Sequence, residues 1–372
     1  MKTIVTIGGA TQDIFLQQDA KDQLPTCAQD HKKYLLLEEG AKLDVADLHY
    51  ATGGGATNSA LSFKKQGFIV SAFFKVGKDS PGEFIVDHLA KAGIDIASHA
   101  VSSKARTGIS CILPSLSGNR TIFVYRGANG TLQEQDLPFD IIDNHDCLYI
   151  TALAGKAATL LPILTTYAKQ KTNSLTPKCI ATNPGSCQLT PTMIPLLLQA
   201  LPHIDIFILN ANEARLLASH LTSAQKISQS PHALQVSTST PPELLTTFLE
   251  DKEIRMSLVE YCARIAAYGP RIVVVTNGSE GVYVYTPQKL LFHPSLKLGI
   301  ASTVGAGDAF GSTFVGSLLQ GFTHEQAIIR GIINSAHVVK GMGATNELLT
   351  SQELTQEAEV LGTHSLNLFP LS

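Results

Sequence analysis

The sequence predicts an α/β protein in which a central, mostly parallel sheet is flanked by helices on both faces and carries a small β-sheet lid. Three observations predict it. From Cys147 onward, short β-rich runs alternate with apolar-periodic segments, the rhythm of a parallel sheet covered on both sides. In the first third, two strand pairs occur with no helix inside either pair. Near the C-terminus, a glycine-rich turn feeds a segment of helical apolar spacing.

Residues 3–8 read as a buried first strand ending at Gly8-Gly9, with Asp13 just beyond it. The runs 34–37 and 43–45, on either side of Glu39-Gly40, read as a hairpin. After Gly53-Gly54-Gly55 the text reads helix, then a strand over 68–76 and a helix over 81–91. A second strand pair, 108–113 and 121–125, is joined by a Ser117-Gly118-Asn119 turn. Further strands are expected near 147–151, 178–182, 205–209 and 271–276. Residues 219–245, rich in Ser, Thr, Gln and Pro, read as a polar surface insertion. The chain, 1–372, is then one domain with lid segments at about 14–52 and 104–128.

Composition narrows the function. With 44% hydrophobic and 16% charged residues, the 372-residue chain can build a core without disulfide staples. A net charge of −3 implies no basic face for nucleic acid. The cysteines at 27, 111, 147, 179, 187 and 262 contain no C-x-x-C pair and read as reduced thiols. The N-terminus runs directly into strand text, without a secretory leader, so a cytoplasmic location is expected. The most apolar stretch, 148–168, contains Lys156 and divides into strand and helix, so no membrane span is expected.

The chemistry concentrates at Thr303-Val304-Gly305-Ala306-Gly307-Asp308. Gly305 and Gly307 leave backbone N–H groups free to converge where a helix begins, and amides plus the positive helix end make an anion site. Asp308 falls in the first turn beside that site. A carboxylate there can take the proton of an attacking hydroxyl while the amides hold a phosphoryl group. The rival, a dinucleotide fingerprint, fails because Gly311 comes one residue late and no second strand follows. A helix-starting turn without a ligand is the plain alternative. The sequence contains no P-loop, zincin pair or nucleophile elbow.

The run from Thr303 to Phe310 resembles the C-terminal signature of the ribokinase-like (PfkB) carbohydrate kinase family, D-T-x-G-A-G-D-x-F. Further motifs resemble the family's in order over nearly the whole chain. Gly53-Gly54-Gly55-Ala56-Thr57-Asn58 is similar to G-G-x-x-x-N, and Val76-Gly77-Lys78-Asp79 to V-G-x-D. Gly127-Ala128-Asn129 is similar to G-A-N, Asn210-Ala211-Asn212-Glu213 to N-x-x-E, and the run from Thr276 through Gly278 to Gly281 to T-x-G-x-x-G.

The resemblance implies a ribokinase-like fold and ATP-dependent phosphorylation of a small molecule, with a sugar as the leading acceptor and a nucleoside as the alternative. It implies Asp308 as base, with the amides of Gly305, Ala306 and Gly307 as anion hole. Asp13, Gly53, Gly54 and Asn58 would bind the acceptor, Asp13 by accepting two hydroxyl hydrogen bonds, although it also reads as a turn Asp. Asn210 and Glu213 would order Mg²⁺-bound water, or equally act as a helix-capping pair. Thr276, Gly278 and Gly281 would approach the nucleotide, as would Asn183. Asn334 would lie on the adenine side, and a solvated helix Asn is the alternative. Dimerisation through the lid is implied as well.

Two positions depart from the family pattern. Ser302 stands where the signature has its first Asp, so the K⁺ site of the family is not carried over. The D-x-N-x-R pattern keeps only Asn183, with Gly185 in place of Arg. These departures motivate a third reading, a non-catalytic ligand-binding relative. A phosphorylated sugar becomes the acceptor if Lys42, Arg106 or Arg126 points inward.

Overall fold

A computed structural model describes residues 1–17, 24–29, 32–114, 120–172, 178–221, 241–251, 254–299, 302–362 and 365–371. Its main sheet has nine strands. From one edge they are Asn367–Pro370, Lys289–His293, Val282–Thr286, Ile272–Thr276, Ile206–Asn210, Cys179–Thr182, Cys147–Ile150, Thr3–Ile7 and Ile69–Phe73. The six strands from Ile272–Thr276 to Ile69–Phe73 are parallel. The three at the other edge are antiparallel, an extension not anticipated from the sequence.

The apolar runs form parallel strands because both faces are covered. Val5, Ile7, Leu148 and Ile150 point into one core, and Ile4, Cys147 and Tyr149 into the other. The second core holds the helix Ala306–Leu319, whose Ala309, Phe310, Phe314 and Val315 are buried beside the helix His324–Val338. Among the described residues no helix is long and apolar enough to cross a membrane.

A second sheet of four strands stands off the first, in the order Arg120–Tyr125, Gly108–Pro114, Thr11–Gln17, Asp47–Gly53. Here three expectations need correction. The hairpin of residues 34–37 and 43–45 does not form. Leu36, Leu37 and Leu43 are about half exposed (46%, 50% and 50%), so no buried face holds 36–37 and 43–45 as strands. The hairpin instead pairs Thr26–Gln29 with Lys32–Leu35. Asp13 does not trail the first strand. The chain passes from one sheet to the other at Gly8–Ala10, and Asp13 lies within Thr11–Gln17. The strand expected over 68–76 splits into Ile69–Phe73 and Lys75–Gly77, the latter pairing with Ala100–Ser102.

The Ser117-Gly118-Asn119 turn and residues 222–240 of the expected insertion lie outside the described residues. The insertion's C-terminal flank is a short helix, Glu243–Thr246, followed by the strand pair Leu249–Asp251 and Ile254–Met256.

Candidate active site

The helix Ala306–Leu319 opens on Gly305, which has φ +81° and no side-chain cap. A Cβ there would overlap Ala344, so backbone conformation and space both demand glycine. The helical ladder begins with the Ala309 N–H donating to Gly305 O at 2.8 Å, which leaves the amides before it without a helical acceptor. Gly307 is exposed and has open space where its side chain would be.

Gly307 and Asp308 line a cavity of about 250 Å³, together with Asn183, Asn210, Glu213 and Thr276. The sequence-predicted residues at four separate strand or helix ends therefore meet in one place. Gly55, Thr151, Ala152, Pro184 and Ile208 also line it and were missed. Thr151 and Ala152 follow the parallel strand Cys147–Ile150, and carboxyl ends of parallel strands are where α/β sheets bind ligands. That positional signal was available in the sequence.

Asp308 receives a hydrogen bond on Oδ2 from Asn58 Nδ2 at 2.8 Å. Burial pushes its pKa up, and the Asn58 bond opposes the shift. Asn58 comes from the helix Gly55–Lys65, is buried, and has no partner on its Oδ1. Asp13 faces the same region from the small sheet and is 5% exposed. Burial pushes it up to about 6 against the bonds from Thr11 and Ser110, and the nearby charge of Asp308 raises it further. Thr11 Oγ1 donates to Asp13 Oδ1 at 2.8 Å.

Space demands glycine at both Gly53 and Gly54. A Cβ on Gly53 would overlap the Asp13 carboxylate, and one on Gly54, at φ +98°, would overlap the Gly9 backbone. They let the two sheets close around Asp13 and, like Asp13 and Asn58, lie outside the lining of that cavity.

Asn210 and Glu213 form a capping box at the start of Ala211–Ala218. The Glu213 N–H donates to Asn210 Oδ1 at 2.9 Å, and the Asn210 N–H to Glu213 Oε2 at 3.0 Å. Both also line the cavity. Burial pushes Glu213 up to about 7, the capping bonds oppose it, and the Asp308 charge adds to it. Asn183 Nδ2 donates to Ile208 O at 2.9 Å, fixing that side chain at the cavity wall.

Other predicted residues are elsewhere. Gly278 and Gly281 shape the turn after Ile272–Thr276 but are not in the cavity lining, which Thr276 alone of that motif reaches. Asn334 is wholly buried: its Nδ2 donates to Thr313 Oγ1 at 2.7 Å, and its Oδ1 accepts from the Leu349 N–H at 2.9 Å. It is neither solvated nor part of the cavity. Asn129 clamps Ala10, accepting from its N–H at 2.9 Å and donating to its carbonyl at 2.7 Å. Asp79 accepts from the Thr107 N–H at 2.9 Å and from its hydroxyl at 2.5 Å, tying two loops. Ser302 is buried, with its N–H on Val339 O at 3.1 Å.

The architecture is that of ribokinases. The chain matches the structure of Arabidopsis thaliana ribokinase complexed with ribose and ATP over 95% of its own length and 98% of that chain, at a TM-score of 0.70 and 17% identity. It matches the Methanocaldococcus jannaschii nucleoside kinase structure over 97% and 99%, at a TM-score of 0.68 and 18% identity. In sequence it is 24% identical over 284 residues to the ribokinase of Staphylococcus aureus, 76% of this chain and 79% of that one. The sequence pattern of the pfkB family carbohydrate kinases matches residues 26–351, and the chain belongs to that family. It is a kinase.

Proposed function

We propose that this kinase transfers the γ-phosphoryl group of ATP to a hydroxyl of a sugar, with Asp308 as general base. The observation that carries the reading is the placement of Asp308: a half-buried carboxylate with a raised pKa, beside the uncapped amides of its own helix. In this mechanism Asn58 holds Asp308 by Oδ2, and the free Asn58 Oδ1 and the Asp13 carboxylate accept hydroxyls of the acceptor. The reacting hydroxyl gives its proton to Asp308 as its oxygen attacks phosphorus. The amides at Gly305, Ala306 and Gly307 stabilise the charge on the transferred group. The small sheet acts as a lid that excludes water, which would otherwise compete as acceptor.

The donor set fits Mg²⁺. Asp308 and Glu213 put two carboxylates in the cavity lining, and no lysine or arginine among the described residues lines it. Mg²⁺ keeps several waters and binds through one or two carboxylates plus phosphates. Glu213, with Asn210 and Asn183 beside it, would hold the ion through water, and the ion would neutralise phosphate charge.

ATP is favoured as donor by the likeness to the A. thaliana ribokinase solved with ribose and ATP. A nucleoside acceptor is the second reading, favoured by 22% identity over 323 residues to the M. jannaschii nucleoside kinase, 87% of this chain and 90% of that one. Two side proposals follow. The outer face of the small sheet exposes Leu48, Tyr50, Phe123 and Tyr125, an apolar patch suited to a second copy of this chain. The six free cysteines suit a reducing, cytoplasmic setting.

The test is ATP consumption with ribose, fructose, 2-keto-3-deoxygluconate and adenosine, on the wild type and on Asp308→Asn. The variant should lose turnover by about a thousandfold or more while still binding acceptor. Unchanged turnover would sink the mechanism.

A further inference from the structure

The inner face of the small sheet carries two rows of side chains. Strand register places Asp13, Ala51 and Ser110 in one row and Phe15, His49 and Ile112 in the next. Each row shares a face because side chains two apart on a strand point the same way. The first row lies toward Asp308, whose charge Asp13 senses. Phe15 and Ile112, in the second, pack with Val304 and Ala344 over the turn that leads into the Asp308 helix.

His49 is the polar member of that second row. Its ring lies 6.0 Å from the Phe15 ring at a tilt of 53°. Its Nε2 is buried and has no hydrogen-bond partner. A buried polar atom left unpaired is destabilising, so the position calls for an occupant that pairs it. The Asn58 Oδ1, beside Asp308, is unpaired in the same way. Two buried polar atoms, one on the small sheet and one on the body, are thus unanswered. One adjoins the base. The other lies one row further out, about 7 Å along the strand at about 3.3 Å per residue.

We propose that His49 is a specificity-determining residue of the acceptor site, its Nε2 bonding a hydroxyl at the end of the sugar remote from the one presented to Asp308. This rests on the kinase reading above. A step of one row matches the length of a small sugar held at its reacting end by Asn58 and Asp13. Phe15 and Ile112, sealed against Val304 and Ala344, wall off the far side, and His49 supplies the polar contact that distinguishes acceptors by their distal hydroxyl.

The test uses whichever of D-ribose, D-fructose, 2-keto-3-deoxygluconate and adenosine the wild type phosphorylates with the highest kcat/KM. His49→Phe keeps the ring and removes its polar atoms. It should raise the acceptor KM by about 10- to 100-fold while kcat stays within about threefold and the ATP KM is unchanged. His49→Gln, which keeps a polar terminus, should recover most of the affinity and controls for packing. Single-deoxy analogues of the acceptor complete the cycle: one should bind poorly to the wild type and show no further loss in His49→Phe. An acceptor KM within twofold of wild type in His49→Phe overturns the assignment, as does an equal rise in the ATP KM. If the wild type phosphorylates none of the four, the proposed acceptor class fails first and the His49 assignment with it. A null effect confined to the His49 variants leaves that reading standing.

Discussion

Asp13→Asn should make the protein more stable and much less able to bind its acceptor, and the gain in stability should grow with pH. The folded state holds the Asp13 carboxyl at about 6, against 3.8 for the free side chain, chiefly because the group is buried. A carboxyl whose pKa is raised by folding favours the folded state below pH 3.8, and that contribution is lost as pH rises through about 6. Two pH units correspond to about 3 kcal/mol. Asn does not titrate and escapes the loss. It keeps an acceptor for Thr11 and turns a donor toward Ser110, the two hydroxyls that now face the carboxylate. With unfolding entropy of about 2.1 cal/mol/K per residue, the variant should melt about 4 °C higher at pH 8, and the difference should vanish near pH 4. Melting curves of both proteins at pH 4, 6 and 8 measure it. Acceptor KM should rise at least about a hundredfold, since hydrogen bonds to a charged group are lost. A melting difference that is flat or reversed with pH would refute the burial argument for Asp13.

Gly305→Ala puts a side chain at φ +81° into Ala344; it should lose about 1–3 kcal/mol of stability and most of kcat, and a variant of wild-type turnover would disconnect the turn from catalysis. Asn334→Ala should lower the melting temperature through the unpaired Leu349 amide while leaving the ATP KM within twofold; a tenfold rise in that KM without destabilisation would restore a nucleotide role. Replacing K⁺ by Na⁺ should change the rate less than twofold in the wild type, because Ser302 supplies no charge, and a strong K⁺ dependence would place a cation site elsewhere. Phe123→Lys with Tyr125→Lys should convert a dimer to monomer in light scattering; a wild type that is already monomeric removes the docking proposal.

What could be read in the sequence follows physical rules of differing strength. Strands such as Ile206–Asn210 and Ile272–Thr276 were legible because a parallel strand buried on both faces must be a nearly unbroken apolar run. The Asp308 turn was legible because two glycines before an apolar helix have few other uses. The strand Thr11–Gln17 was not, since its polar inner side chains, Thr11 and Asp13, spoil the alternation that marks a half-buried strand. Leu36 and Leu37 misled for the opposite reason: apolar residues that stay exposed carry no fold information. Asn334 was read by analogy alone, and its burial became visible only when Thr313 and Leu349, distant in sequence, were placed around it.

The four points where the chain passes between the two sheets are bonded to one another. The Gly9 carbonyl accepts from the Ala56 N–H at 3.1 Å, Asn129 holds both polar groups of Ala10, and the Arg106 carbonyl accepts from the Ala128 N–H at 2.7 Å. They behave mechanically as one hinge, because no crossing can bend alone without breaking a bond to its neighbour. Asp13 sits three residues along one arm of that hinge, whereas Asn58 lies just behind it on the body. In the proposed mechanism an acceptor that bridges the two would close the angle between sheets as a consequence of being bound, so that its recognition and the enclosure of the reaction would be one motion.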